Sequence, residues 1–534
     1  MTERAGTPRD RPPRDRGRAW RWLAWCAGAL LCVTQYAAQR TLWVDELALT
    51  RNILDRPLAD LVTRPLAFDQ VAPAGFLVLQ KGVVATLGDS ELALRAVPFA
   101  MALAALALVG ALGRVLIGGW ASAIPVLLLG GSGRMIWLSS QAKQYSTDLA
   151  VTAALLLVAV TVPAWRTRGR WRWLALLVGL VAPWLSQPSI FSLSAALLGV
   201  VLDDRRPGQS PHLFTRRLVA AWAVSALAAV IVARARVTPE TMSFMRAYWA
   251  AGFAPIPPMG WGDLKWPLHV VRLLVRDIVN GAWSYTYLGV AALGGWELFR
   301  RSRTTALVLV LPMAAAFGAA TLRLYPLADR LAFFLSPIVV VLMGAGIAAV
   351  ARGLAELRGS LRPAALLLVA LPAVPLLDHR PPYAIQHLSP LLGTLRQQLR
   401  PGDRVYVPYG GWQAWTHYAP RAGIAADVIL GRCHDRDLAA YGAETERLQG
   451  ASRGWILFVP AGRLQDASVI LRHADRLGTP RAHWVREDRD AAGRPRTVAL
   501  YLYDLHPVAD GQGGRPTPAL AATAAGCRGA AVDR

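Results

Sequence analysis

The chain has 534 residues, 54% of them hydrophobic, with a mean hydropathy of +0.33. Apolar runs of about 18–22 residues, the length that crosses a hydrocarbon core, recur along it and indicate an integral membrane protein. The formal charge of +24 does not indicate a nucleic-acid partner, because much of the arginine lies in short segments between apolar runs and not on one soluble region.

The beginning of the chain predicts a cytoplasmic N-terminus followed by a membrane anchor. Residues 1–19 are rich in Arg and Pro and are predicted to form a disordered basic tail on the cytoplasmic side. The first span is predicted at about 20–42. No small-residue cleavage site follows a short apolar core in this stretch, which favours a retained signal anchor over a cleaved signal peptide.

About eleven spans are predicted within a transmembrane domain that covers residues 20–378. After the first, they are expected near 93–113, 120–139, 147–164, 172–186, 188–202, 218–234, 281–298, 305–322, 331–350 and 363–378. Residues 172–202 could also form one broken helix, although the arginine pattern favours two spans. The arginine-rich connections fall on the cytoplasmic side when the spans alternate, which places the segments near 43–90 and 238–280 outside.

The composition changes after residue 378 and predicts an extracytoplasmic α/β domain over 379–508. Strands are expected at about 403–408, 454–459 and 497–503, with a helix over 464–477 between two of them. Residues 509–534 are rich in Ala, Gly, Pro and Thr and predict a disordered tail. Cys433 and Cys527 would both lie outside the membrane, where a disulfide between them would persist.

Two acidic residues, Asp45 and Glu46, follow the first span. Ionisable residues at a bilayer edge are candidates for function. A carboxylate here could accept a proton from an attacking hydroxyl, orient that hydroxyl, or bind a divalent metal ion. Because Asp45 and Glu46 are adjacent and are expected to be partly buried, the pKa of whichever carboxylate acts as the base is expected to be raised. The alternative is an acidic pair that keeps a helix end in water.

Asp69 and Gln70 precede a Pro- and Gly-containing turn and are candidates for binding a substrate in the same cavity. An ordinary turn explains them equally well. Farther along, Gln141, Lys143 and Tyr145 form a polar cluster with Asp148. If this segment is helical, Gln141, Tyr145 and Asp148 share one face. Lys143 could pair with a lipid phosphate as a point charge, or extend towards water from a span.

Arg323 and Arg330 lie on the outer side of two late spans, where the positive-inside rule predicts few arginines. An anionic headgroup bound there would explain both. The alternative is a structural ion pair between Asp329 and Arg323. The chain has no Gly-rich nucleotide-binding motif and no HExxH sequence, so a nucleotide-dependent enzyme is not indicated.

Four motifs follow one another in an order that resembles a known family. They are WVDELA at 43–48, QVAPAGF at 70–76, GDSELALR at 88–95 and SSQAKQYS at 139–146. This order resembles the polytopic GT-C glycosyltransferases, in particular the protein-mannosyltransferase-like and lipid A aminoarabinose-transferase-like group, family 39. These enzymes often have Glu-Ala-Arg where this chain has Gln141-Ala142-Lys143, which puts acid or metal chemistry at Gln141 in doubt.

The resemblance implies a plasma-membrane glycosyltransferase that takes a sugar from a polyprenyl-phosphate donor. The acceptor would be a hydroxyl of a cell-envelope glycan, lipid or protein on the extracytoplasmic face. Asp45 would activate this hydroxyl with help from Glu46, and Lys143 and Arg330 would stabilise the leaving phosphate. Two alternatives remain: a transporter or flippase of lipid-linked sugars, although no internal repeat is evident, and a non-catalytic membrane scaffold.

Overall fold

The computed structural model describes residues 15, 17–162, 169–204, 213–281, 283–357, 363, 367, 379, 381–434, 437–459 and 464–506. The described chain is helical as far as Leu357. Beyond residue 381 it forms a smaller part built around a sheet of five strands. The predicted basic tail at 1–19 and the disordered tail at 509–534 lie largely or wholly outside the described residues.

The helical part contains seventeen α-helices within the described ranges. They are α1 (Arg18–Ala37), α2 (Val44–Asp55), α3 (Leu58–Thr63), α4 (Ala74–Leu87), α5 (Glu91–Leu116), α6 (Ile124–Gly130), α7 (Gly133–Leu138), α8 (Tyr145–Val160), α9 (Gly169–Leu185), α10 (Ser189–Asp204), α11 (Leu213–Ala235), α12 (Pro239–Tyr248), α13 (Trp261–Leu264), α14 (Trp266–Ile278), α15 (Ser284–Arg301), α16 (Arg303–Thr321) and α17 (Ser336–Leu357). α14 lies within the segment near 238–280 that is predicted to be outside.

Four helical stretches are long and apolar enough to cross a membrane. They are Glu91–Leu116, Leu213–Ala235, Arg303–Thr321 and Asp329–Glu356. Shorter apolar helices, of 10–17 residues, lie at Ala74–Leu87, Trp120–Gly130, Tyr145–Val160 and Ser189–Asp203. These apolar helices indicate an integral membrane protein. The count of eleven spans stays a prediction, and the span predicted at 363–378 falls almost wholly outside the described residues.

Two of the predicted spans can be compared with the helices directly. The span predicted at 120–139 is divided: a 3₁₀ turn over Trp120–Ala123 leads into α6, and Gly131 and Ser132 separate α6 from α7. The Ser132 hydroxyl accepts a hydrogen bond from the backbone N–H of Met135 at 3.2 Å and so caps α7. Residues 172–202 form two helices that are interrupted before Ser189, because Pro188 cannot donate the backbone hydrogen bond that continues a helix.

The C-terminal part is an α/β unit with a mixed sheet. Its elements are α18 (Ser389–Gln398), β1 (Arg404–Val407), α19 (Trp412–Arg421), β2 (Asp427–Leu430), α20 (Leu438–Thr445), β3 (Arg453–Phe458), α21 (Leu464–Leu477), β4 (Gly478–Arg489) and β5 (Pro495–Leu505). The strand order is β2-β1-β3-β5-β4. β1 pairs in parallel with β2 and β3, whereas β5 is antiparallel to β3 and β4.

The three strands and the helix predicted from sequence correspond to β1, β3, β5 and α21. β2 and β4 were not predicted. Both are edge strands. In the second half of β4 exposed residues alternate with partly buried ones, and the charges of Arg481, Glu487 and Arg489 on this edge discourage pairing with other chains. Cys433 takes part in a disulfide. Its predicted partner, Cys527, lies outside the described residues, so this pairing stays a prediction.

The C-terminal part packs directly on the extended segment between α1 and α2. The backbone N–H of Leu42 donates to the hydroxyl of Tyr418 at 2.7 Å, and the amide of Gln386 donates to the carbonyl of Leu42 at 2.8 Å. The hydroxyl of Thr41 donates to the carbonyl of Gln386 at 3.1 Å. These contacts fix the chain three residues before Asp45.

Candidate active site

Asp45 and Glu46 lie in the first turn of α2, and their side chains point in different directions. Successive residues of an α-helix are about 100° apart around its axis, since a turn takes 3.6 residues. The two carboxylates therefore meet different partners and do not form the close pair that was expected from their adjacency.

Asp45 is held between two cations. Its Oδ1 accepts from the ammonium of Lys143 at 2.8 Å, and its Oδ2 lies 3.1 Å from a terminal nitrogen of Arg330. Lys143 also donates to the side-chain oxygen of Gln70. The side chains of Asp45, Lys143 and Arg330 are at most 10% exposed. Three elements distant in sequence thus place one carboxylate and two cations in a buried site.

The pKa of Asp45 follows from these neighbours. Burial on its own would raise the pKa of this carboxyl, but the charges of Lys143 and Arg330 outweigh burial and hold the pKa below its usual value. The predicted raised pKa is therefore wrong for the protein without a bound substrate. Burial lowers the pKa of the Lys143 ammonium, and the Asp45 carboxylate opposes that shift.

Glu46 is bound on both of its carboxylate oxygens. The guanidinium of Arg95 donates to Oε1 at 3.0 Å and to Oε2 at 2.9 Å. The backbone N–H of Ala142 donates to Oε1 at 2.8 Å, and that of Trp43 donates to Oε2 at 3.3 Å. Glu46 is 1% exposed. It joins α2, α5 and the loop that carries Lys143, which supports a positioning role.

Replacing Glu46 by Gln is expected to destabilise the fold, because the substitution leaves the Arg95 guanidinium buried without its counter-charge. Breaking a buried ion pair typically costs about 3–5 kcal/mol. Thermal unfolding of the purified protein measures this change. Glu297→Gln is the matched control, since Glu297 pairs with the more exposed Arg301 and Arg352 and should cost below about 1 kcal/mol. Equal unfolding temperatures for the two variants would contradict the positioning role.

Arg330 is surrounded by aromatic rings. Its Nε donates to the hydroxyl of Tyr145 at 2.7 Å. Its guanidinium carbon lies 5.4 Å from the ring centroid of Trp43, 5.6 Å from that of Tyr145 and 5.3 Å from that of Trp249. Each such contact attracts a cation by about 0.5–2 kcal/mol. These contacts fix the orientation of the guanidinium beside Asp45.

Arg134 belongs to the same network, although the sequence did not point to it. One of its terminal nitrogens lies 2.7 Å from Asp329 and 3.0 Å from Asp277. Asp329 also lies 3.7 Å from Arg330. The ion pairs of Asp329 within the described residues therefore go to Arg134 and Arg330 and not to Arg323, which is exposed beyond the end of α16. The alternative pairing of Asp329 with Arg323 is wrong.

Gln70 and Asp69 have different contacts. Gln70 binds Lys143, whereas Asp69 accepts from the hydroxyl of Thr241, on α12, at 3.0 Å. Phe68 and Asp69 have backbone φ angles of 62° and 51°. Residues other than glycine rarely adopt this left-handed backbone conformation. Where they do, the surrounding contacts enforce it, often at a functional site.

The segment from Gln141 to Asp148 does not form one helical face. Residues 139–144 form turns, and α8 begins at Tyr145. Gln141 accepts from the indole N–H of Trp43 at 2.9 Å. Asp148 is buried one turn into α8 beyond Tyr145. The predicted alignment of Gln141, Tyr145 and Asp148 is therefore wrong, because Gln141 lies outside the helix that contains Tyr145 and Asp148.

The carboxylates of the site are paired with cationic side chains. Within the described ranges, no group of three His, Cys, Asp or Glu side chains comes together. Asp45 and Glu46 are instead occupied by the side chains of Lys143, Arg330 and Arg95. A metal ion placed between these two carboxylates would be repelled by the positive charges of Lys143, Arg330 and Arg95.

Comparison with known proteins finds distant structural neighbours. No protein-family model and no curated protein matches the chain. The chain is similar to ArnT from Cupriavidus metallidurans, solved with undecaprenyl phosphate, at 14% identity and a TM-score of 0.49, over 90% of this chain and 97% of that one.

Two further structures are similar. One is the Archaeoglobus fulgidus oligosaccharyltransferase, at 11% identity and a TM-score of 0.45, over 88% of this chain and 73% of that one. The other is the arabinofuranosyltransferase AftD from Mycobacteria, at 14% identity and a TM-score of 0.45, over 92% of this chain and 40% of that one.

All three neighbours are GT-C glycosyltransferases, the class that the sequence motifs resemble. Each TM-score is below 0.5, so the likeness is remote and the function of this chain has to follow from its own site.

Proposed function

We propose that this chain is a GT-C-type membrane glycosyltransferase that moves a sugar from a polyprenyl-phosphate donor to an acceptor hydroxyl on the extracytoplasmic face. The observation that carries the proposal is the buried group of Asp45, Lys143 and Arg330 beside apolar helices. A carboxylate and two cations in one dry site are the parts that such a transfer needs: a proton acceptor and a binding site for an anionic leaving group.

The two cations suit a phosphate. Lys143 and Arg330 both pair with Asp45, so a phosphate that enters the site can take the place of this carboxylate as their anionic partner. Arg330 presents a planar guanidinium that can bind two phosphate oxygens, whereas Lys143 acts as a point charge. The Tyr145 hydroxyl accepts a hydrogen bond from Arg330. Its own proton therefore points away from Arg330 and is free to be donated to a phosphate oxygen.

Donor binding changes the chemistry of Asp45. When phosphate oxygens pair with Lys143 and Arg330, these cations hold the Asp45 carboxylate less strongly. Burial, which disfavours the charged form of Asp45, is then opposed less strongly. The pKa of Asp45 therefore rises towards the value that a base needs at neutral pH. Asp45 thus becomes a stronger base when the donor is in place.

The transfer is then a single displacement. Asp45 takes the proton of the acceptor hydroxyl as its oxygen forms a bond to the anomeric carbon of the sugar. The bond from that carbon to the phosphate oxygen breaks, and its electron pair goes to the phosphate, where Lys143 and Arg330 stabilise the charge. The acceptor would be a cell-envelope glycan, lipid or protein. A divalent metal ion has no step in this scheme.

The test is an assay of purified protein in lipid nanodiscs with a panel of polyprenyl-phosphate sugars. Release of polyprenyl phosphate is measured with and without cell-envelope acceptor extract. We expect release from at least one donor, stimulated by acceptor and lost in Asp45→Asn. Folded wild-type protein that releases polyprenyl phosphate from no donor would count against a transferase.

The orientation is tested by cysteine labelling of intact cells. Glu446 is exposed in the C-terminal part, so Glu446→Cys is expected to react with a membrane-impermeant maleimide. Arg300, also exposed, lies on a connection predicted to face the cytoplasm, and Arg300→Cys should react only after lysis. The opposite pattern would place the C-terminal part in the cytoplasm and overturn the proposed face of the reaction.

A further inference from the structure

The C-terminal part contributes an aromatic ring to a cluster of side chains beside α2. The Trp412 ring centroid lies 6.0 Å from that of Phe68, and the guanidinium carbon of Arg51 lies 5.7 Å from each of the two rings. Phe68 is 37% exposed, and Trp412 and Arg51 are partly exposed. These three residues, here called the aromatic platform, join α2, the 64–73 loop and the N-terminus of α19.

The platform is close to the reaction site along two routes. Arg51 is six residues beyond Asp45 in α2, which corresponds to about 9 Å along a helix axis. Phe68 is two residues before Gln70, a Cα separation of at most about 7 Å, and Gln70 binds the Lys143 that holds Asp45. The platform and the Asp45 site are therefore built on the same helix, α2, and on the same loop, residues 64–73.

Polar groups surround the rings. Asp69 follows Phe68 directly, and Tyr409 precedes α19. Burial raises the pKa of the Tyr409 hydroxyl, and the negative charge of Asp69 raises it further. Within the described ranges, the indole N–H of Trp412 donates to no protein acceptor, so it is available to a ligand. Aromatic faces with a few fixed polar groups are typical of ligand sites.

We propose that the aromatic platform binds a saccharide and that this saccharide is the acceptor of the transfer. Sugar rings have an apolar face of C–H groups that stacks on aromatic rings, while their hydroxyls bond with planar polar groups such as those of Arg51 and Asp69. The role as acceptor rests on the proposed function, whereas the saccharide site itself does not. The strained φ angles of Phe68 and Asp69 fix the loop so that Phe68 and Gln70 serve the two sites at once.

The test measures saccharide binding in the absence of turnover. Full-length Asp45→Asn protein in nanodiscs is titrated with hexasaccharides of glucose, mannose, galactose, arabinose and N-acetylglucosamine, and with a Ser- and Thr-rich hexapeptide. Saturation-transfer NMR reports the binding. We expect at least one hexasaccharide to bind, and Trp412→Ala or Phe68→Ala to weaken it at least about tenfold, which corresponds to about 1.4 kcal/mol.

The controls separate stacking from a structural role. Trp412→Phe keeps an aromatic face and should retain most of the binding. Trp261→Ala removes a tryptophan that is 80% exposed elsewhere and should bind as the parent does. If Trp412→Ala fails to fold, Phe68→Ala decides the matter. Binding of no hexasaccharide, of the peptide alone, or equally by Phe68→Ala and Trp261→Ala would overturn the platform.

The two proposals fail in different ways. Saccharide binding without any transfer from the donor panel would overturn the transferase and leave the saccharide site in place. Transfer to an acceptor that is unaffected by Phe68→Ala and Trp412→Ala would overturn the platform and leave the transferase.

Discussion

Asp45→Asn is expected to lower turnover at least about a hundredfold, which corresponds to about 2.7 kcal/mol of activation free energy. Asn is nearly the same size as Asp but cannot accept the hydroxyl proton. It also removes the negative charge from between Lys143 and Arg330. The substitution thus tests whether the carboxylate that the structure places beside both cations takes part in the chemistry.

The measurement requires equal amounts of folded, membrane-inserted protein, because unpaired buried cations can also reduce stability. Asp60→Asn is the matched control: Asp60 pairs with Arg64 on the more exposed α3 and should keep wild-type turnover. Turnover of Asp45→Asn close to that of Asp60→Asn would remove Asp45 from the mechanism. Asp69 or Asp148 would then be the next candidate for the base.

Arg330→Ala and Lys143→Ala are each expected to lower turnover by about 10²–10³, the loss typical for one group that stabilises developing negative charge. Both should also weaken apparent donor affinity. Arg330→Lys should not rescue activity, because an ammonium cannot reproduce the fork that contacts Tyr145 and Asp45. Lys143→Arg keeps a positive charge beside Asp45 and should therefore retain more activity than Lys143→Ala.

Donor affinity is measured from the dependence of the initial rate on the polyprenyl-phosphate sugar concentration, and by competition with free polyprenyl phosphate. Arg323→Ala is the matched control, because Arg323 is exposed and lies apart from the ion pairs of Asp45. Unchanged donor affinity in both Arg330→Ala and Lys143→Ala would assign the two cations a structural role only.

Sequence reasoning identified the groups of the site but not their partners. Asp45, Lys143 and Arg330 could be found because each is an ionisable residue near a predicted membrane edge. The sequence could not show that Asp45 and Glu46 have different ion-pair partners, because these partners depend on the rotation of α2 relative to α5 and the 139–144 loop. The sequence predicted that the carboxylates of Asp45 and Glu46 lie close together, whereas in the structure Glu46 forms an ion pair with Arg95.

Arg134 was missed for a related reason. It lies between two stretches of apolar residues, and its role depends on Asp277 and Asp329, which are more than 140 positions away. The same limit applies to the fold. Apolar runs predict where helices lie, but the interruption between α6 and α7 depends on a local Gly-Ser turn, and β2 and β4 are recognisable only from the strands beside them.

The contacts of Tyr418 and Gln386 with Leu42 bear on how this protein can be divided. The backbone that presents Asp45 is held in place by hydrogen bonds from the far end of the chain. Cutting the chain near residue 380 would therefore not release an autonomous catalytic core. A chimaera that exchanges the C-terminal part between relatives would also need the matching residues 39–43. The two parts would have to be inherited, and engineered, as one unit.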